Sequence, residues 1–199
     1  MTPHFAVTWD YRCPFARIVH RHIVDALVDG ADWDVTFVPF SLGQVHVEDG
    51  EPPIWDRPDD DTGLLALQAA VVVRDTTPDL FPVVHRALYE ARHVEGAHLR
   101  DEAVLRGLLT ANGADADAVM AEVAIGRPLA TVRDEHTAAV KDHDVWGVPT
   151  FISGGRAVFV RLMDLPTDGA DARRTIERTL DLVDGWPALN EFKQTNLDR

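Results

Sequence analysis

The sequence has a single cysteine, Cys13, in 199 residues. An intramolecular disulfide is therefore excluded, and the fold must rest on its core. No stretch approaches the roughly 18 continuous apolar residues of a membrane-crossing helix, so no membrane span is expected. Positive charge is scarce: 19 lysines and arginines stand against 33 aspartates and glutamates, a net charge of −14. That balance repels a phosphate backbone and argues against nucleic-acid binding. The opening residues MTPHFAVTWDYR carry neither the basic start nor the apolar stretch of a secretory signal. The expectation is a cytoplasmic protein whose thiol stays reduced at rest. The sequence also lacks a P-loop, a GxGxxG turn and any Ser/His/Asp arrangement. Its histidines form no metal set. His20 and His22 diverge on a helix, His136 and His143 lie two turns apart, and His93 and His98 straddle a turn at Gly96.

What is present is apolar material, 46% of the residues. A chain of this length buries roughly 70% of its unfolded surface, so a core needs no covalent staple. Phe5 to Trp9 is a short apolar, β-branched run and reads as a strand. Pro14 opens a helix, where its missing N–H costs nothing. Phe15, Ile18, Val19, His22, Ile23, Ala26 and Leu27 then fall at helical spacing, with Gly30 as the stop. Trp33 to Phe40 reads as a second strand, and strand–helix–strand in so short a span implies a parallel βαβ unit.

The middle of the chain reads as helices at 64–74, 80–94, 101–111, 115–125 and 129–142, separated by Thr77-Pro78, Gly96, Asn112-Gly113 and Gly126. The first of these is apolar nearly all round and should be buried on most sides. An acidic run of Glu48, Asp49, Glu51, Asp56 and Asp59 to Asp61 reads as a solvated loop. Strand signals return at Thr150 to Ser153 and Arg156 to Val160, joined by Gly154-Gly155 as a hairpin turn. A last helix covers 170–183, with Thr167 or Asp168 as N-cap. The order implies an α/β domain from residues 1–60 plus 145–199, with an all-helical insertion at 61–144.

Cys13 sits between a strand and a Pro-initiated helix. Its sulfur would lie near free backbone N–H groups and the positive end of the helix dipole, which favours the thiolate and predicts a lowered pKa. Arg12 and Arg17 could add positive potential. Asp10 and Tyr11 could accept a proton or orient a substrate; equally, Asp10 could simply bond the turn. Trp55, His85, Tyr89, Trp146 and Phe15 are candidates to line a cleft, Trp146 foremost because it flanks Pro149.

Asp10-Tyr11-Arg12-Cys13-Pro14-Phe15-Ala16 after a strand resembles the active-site turn of the thioredoxin superfamily, and more narrowly of the DsbA family. Gly147-Val148-Pro149-Thr150 before a hairpin resembles that family's cis-proline loop. The resemblance spans essentially the whole chain and implies a thioredoxin-like fold with an inserted helical domain. It implies a cis Val148–Pro149 bond, with Cys13 as catalytic residue and Trp146, Val148, Pro149 and Thr150 binding a thiol. The family's second, resolving cysteine falls on Ala16, which removes internal exchange.

The chain also resembles the 2-hydroxychromene-2-carboxylate isomerases and kappa-class glutathione transferases, which share the insertion. A further likeness is to actinobacterial DsbA-like proteins that use mycothiol to reduce nitroaromatic compounds. There the segment 188–193 (ALNEFK) would form a cap over the end of the fold.

Three readings follow from the resemblance. One is a monothiol oxidoreductase working with mycothiol or glutathione on a small organic or disulfide substrate, with no tightly bound cofactor. Another is a thiol-dependent isomerase or transferase. The third is a binding protein without catalysis. The superfamily's habit of pairing through helical surfaces would make a homodimer.

Overall fold

The computed structural model describes residues 2–57, 60, 63–191 and 193–194. β1 (His4–Trp9) alternates faces, and Phe5, Val7 and Trp9 are fully buried. It pairs in parallel with β2 (Asp34–Pro39) and antiparallel with β3 (Thr150–Ser153), which pairs with β4 (Arg156–Phe159). The sheet order is β2-β1-β3-β4. Val7 stands opposite Phe37 on one side and Phe151 on the other, which builds one continuous apolar face. The hairpin turns at Gly154 and Gly155, with φ of +56° and +77°. Two successive positive φ values demand glycine and match the twist of the strands.

Helix α1 (Pro14–Val28) buries Ala16, Val19, His20, His22, Ile23, Val24 and Ala26. Of the expected stripe, Val19, His22, Ile23 and Ala26 are buried and Phe15, Ile18 and Leu27 half-buried, and Ala16, His20 and Val24 are inside as well. It packs against α8 (Gly169–Gly185), which starts on an Asp168 cap, the side chain accepting from the Asp171 N–H at 2.7 Å.

Between β2 and β3 run α3 (Leu64–Thr76), α4 (Phe81–His93), α5 (Glu102–Ala111), α6 (Ala116–Ile125) and α7 (Arg127–His143). α3 is the centre of this block, with Ala66, Leu67, Ala69, Ala70, Val71 and Val73 fully buried among the others. Two short elements were invisible to periodicity because each is a single turn: α2 (Leu42–Val45), capped by Ser41, and a 3-10 turn at Ile54–Asp56. In the acidic run, Glu51 and Asp60 pair with Arg57, while Asp59 and Asp61 lie outside the described residues. In the segment 188–193, Ala188, Asn190, Glu191 and Lys193 are exposed and Leu189 is half-buried, and Phe192 is outside the described residues.

The helical block is tied to the sheet by charge and by a buried polar chain. At the end of α3, Arg74 donates to the Phe37 carbonyl at 2.7 Å and forks onto Glu135 at 2.8 and 2.6 Å. Arg17 and Arg21 on α1 both reach Glu90 on α4.

Between them lies a directed chain. The Thr8 carbonyl can only accept, so His20 Nε2 donates to it at 3.0 Å. His20 Nδ1 then accepts from His85 Nε2 at 3.0 Å, and His85 Nδ1 accepts from the Tyr11 hydroxyl at 2.7 Å. Burial lowers the pKa of His20 to about 4 and that of His85 well below its ordinary value, so both rings are neutral, which this pattern requires.

A group whose folded pKa is depressed stabilises the fold above its unfolded value and loses that contribution as pH falls through the folded one. Melting temperature is therefore expected to fall as pH drops from 6.5 toward about 4. A His85→Leu variant should lose about 1–3 kcal/mol at pH 7, because Tyr11 and His20 are left unpaired. Its melting temperature should depend less steeply on pH in the same thermal-melt series.

Candidate active site

β1 delivers the turn and α1 receives it. The Cys13 N–H donates to the Asp10 carbonyl at 3.1 Å and closes the turn. Cys13 is itself the N-cap of α1, with φ −91° and ψ 116°, and its sulfur accepts from the Ala16 N–H at 3.4 Å. On the other side the thiol donates to the Val148 carbonyl at 3.4 Å. The Val148–Pro149 bond is cis. Residues 135 positions apart in sequence thus meet at the sulfur.

Thr8 holds the opposing loop. Its hydroxyl accepts from the Thr150 N–H at 2.9 Å and donates to the Gly147 carbonyl at 3.3 Å. The Thr150 hydroxyl donates to the same carbonyl at 2.8 Å. The strand pattern of FAVTW marked Thr8 as facing away from the apolar side, and that polar position was the only sign of this role.

Cys13 is buried. Desolvation pushes its thiol up from the ordinary value, against the backbone N–H groups of Ala16 and Phe15 that pull it down; Asp10 adds to the rise and Arg161 opposes it. The expected lowering is thus overturned, because the sulfur is enclosed as well as capped. Arg12 and Arg17 do not supply the positive field. Arg12 lies on Asp10, at 3.4 Å, and Arg17 on Glu90, at 2.9 Å. Arg161 is the cation that counts, its guanidinium 4.8 Å over the Phe15 ring; nothing in the sequence marked it.

Asp10 bonds the turn. Its carboxylate accepts from the Arg12 N–H at 2.8 Å and the Leu42 N–H at 2.7 Å, and it is fully buried. Tyr11 is buried with its hydroxyl committed to His85, its carbonyl taken by His93 Nε2 at 2.8 Å, and its pKa raised well above the ordinary value by desolvation. His85 and Tyr89 are buried and line only a very small cavity between α1 and α4, with Arg17, Arg21 and Glu90, and Trp55 is half-buried against His136. Trp146 is 65% exposed and stacks on Phe159 rather than on the cysteine turn. Cys13, Ala16, Val148, Pro149 and Thr150 are the residues that converge, and Ala16 has no exposed surface.

Among the described residues there is no group of three or more metal-ligating side chains, and no helix is long and apolar enough to cross a membrane.

Solved structures share this fold. The cytosolic disulfide reductase DsbM from Pseudomonas aeruginosa, solved with GSH, aligns with a TM-score of 0.61 at 20% identity, over 90% of this chain and all 100% of that one. A probable DsbA oxidoreductase from Streptomyces coelicolor aligns at 0.62 and 16% identity, over 96% of this chain and 94% of its own. Reduced DsbA1 from Neisseria meningitidis aligns at 0.60 and 16% identity, over 92% and 85%. Among curated proteins, none matches the sequence. The model of the DSBA-like thioredoxin domain matches residues 7–168. That span takes in the cysteine turn, the helical block and the Pro149 loop, and the chain accordingly belongs to the DSBA-like thioredoxin domain family, the thioredoxin-fold oxidoreductases.

Proposed function

We propose that this chain is a monothiol oxidoreductase in which Cys13 exchanges with a small thiol and its disulfides. The observation that carries the reading is the sulfur held between the Ala16 N–H and the Val148 carbonyl, with an alanine where a second thiol would stand. The Cys13 thiolate attacks the small-thiol sulfur of a substrate mixed disulfide R′S–SR, forming Cys13–S–S–R and releasing the reduced substrate R′S⁻. A second small-thiol anion then attacks the R sulfur, regenerating Cys13 and releasing RS–SR. The co-reactant in the second step is the low-molecular-weight thiol itself, of the glutathione or mycothiol class. DsbM, a cytosolic reductase solved with GSH, supports a partner of this class. A lone thiol that needs an external reductant suits the cytoplasm.

The helix N-terminus stabilises the sulfur anion once it forms. In the resting protein the proton is retained and directed at Val148. An incoming peptide-like thiol that pairs with the Val148 backbone takes that acceptor away from Cys13, in the manner of a strand added at an edge. Deprotonation is thereby coupled to binding.

The isomerase or transferase reading has one observation in its favour: burial keeps Cys13 a hydrogen-bond donor, which could polarise a bound thiol without being oxidised.

Two measurements test these readings. Alkylation of Cys13 by iodoacetamide should be slow at pH 7 and should still be rising beyond about pH 8.5, the ordinary cysteine value. A rate already at its plateau by pH 7 would remove the raised thiol. Intact-mass analysis after treatment with a small-thiol disulfide should give one adduct, reversed by excess thiol and abolished in Cys13→Ser. Turnover of a substrate that survives Cys13→Ser would instead select the isomerase or transferase reading. In an Ala16→Cys variant the spacing permits an internal disulfide, so the adduct should be short-lived and be replaced by an intramolecular bond.

A further inference from the structure

Beside the cysteine turn is a cleft of about 270 Å³, walled by Tyr11 and Arg12, Ala66 at the start of α3, Arg92 at the end of α4, and His98 and Arg100 in the loop before α5. Three arginines and a histidine are among the residues that line this one small cleft, in a chain of net charge −14. Many of the arginines lie on carboxylates, among them Arg17 on Glu90, Arg74 on Glu135, Arg106 on Glu102 and Asp117, and Arg127 on Glu122, while Arg156 bonds the Val183 carbonyl and Arg161 lies over Phe15. Arg12 follows that habit with Asp10. Arg92 and Arg100 do not, and among the described residues neither makes an ion pair. Arg92 is half-buried and Arg100 exposed, so their donors face the cleft or water.

An acidic protein gains nothing structural from two unpaired arginines side by side, since like charges repel. The arrangement is useful once an anion sits between them. Guanidinium forks match carboxylates two bonds at a time.

We propose that this cleft is an anion subsite that recognises a carboxylate on the thiol partner. It selects a peptide-type thiol with free carboxylates, as in glutathione, over an uncharged sugar-linked thiol of the mycothiol type. Arg92 and Arg100 are the specificity-determining residues, and Tyr11 and Arg12 connect the subsite directly to Cys13. The role of this subsite rests on the thiol-exchange reading above.

The test compares two disulfides as probes: oxidised glutathione, which carries carboxylates, and 2-hydroxyethyl disulfide, which carries none. Rates of mixed-disulfide formation on Cys13 are followed by intact mass. At low salt the native chain should prefer oxidised glutathione by about tenfold, and the preference should shrink as salt is added. An Arg92→Gln/Arg100→Gln variant should lose the preference. Arg106→Gln, an exposed arginine on α5, should keep it. Equal rates in the native chain, or a preference that survives in the double variant, would overturn the subsite.

Absence of an adduct with either probe would overturn the exchange reading but leave the cleft testable. Calorimetry of S-methylglutathione, which cannot exchange, on Cys13→Ser then decides the matter. Binding that disappears in the double arginine variant supports the subsite. No binding overturns it.

Discussion

The antiparallel pairing of β1 with β3 is the constraint on which the site depends. It brings the end of the first strand beside the start of the third, so that Thr8 can bond both flanks of the Pro149 loop. Cys13 leaves β1 by one turn and Val148 enters β3 by one residue, so the two are neighbours without either being placed by its own local sequence. A helical block of five long helices sits between them in the chain, fastened to β2 and α1 and, through His85 and His93, to the Tyr11 side of the cysteine turn.

Much of this was legible. The alternation of FAVTW, the Pro14 start of α1, the Gly154-Gly155 turn and the apolar girth of α3 each have a local cause, and each appears within a residue or two of where that cause puts it. What was not legible was set by tertiary enclosure. The cysteine at a helix N-terminus promised a lowered pKa, yet burial outweighs the cap. Arg12 and Arg17 stand near Cys13 in sequence but spend their charge on Asp10 and Glu90, while Arg161, far along the chain, is the cation that matters. His85 read as a cleft candidate and His20 as half of a failed metal pair, because the two residues that bond each other are separated by 65 positions. Trp146 followed sequence proximity to Pro149, but it lies in the loop before β3, and its exposed ring packs on Phe159 of β4.

Charge is unevenly spent in this molecule. Among the described residues eleven arginines neutralise a neighbouring acid, and an excess of acid remains to keep the surface solvated. Against that field, the region around the cysteine turn is arranged differently: Arg161 lies over Phe15, and Arg92 and Arg100 face a common space.

The polar chain from Thr8 to Tyr11 has one further property. Its far end is a main-chain carbonyl, which has no hydrogen to offer, so the direction of every bond above it is settled in turn: His20, then His85, then the Tyr11 hydroxyl. Reversing any one bond would strand two groups in a dry interior, and none of the three can be reset alone. The chain therefore behaves as a single digit rather than three, written by the backbone of the first strand and read at the residue two places before the cysteine. Whatever disturbs that strand changes the tyrosine's bonding in the same step.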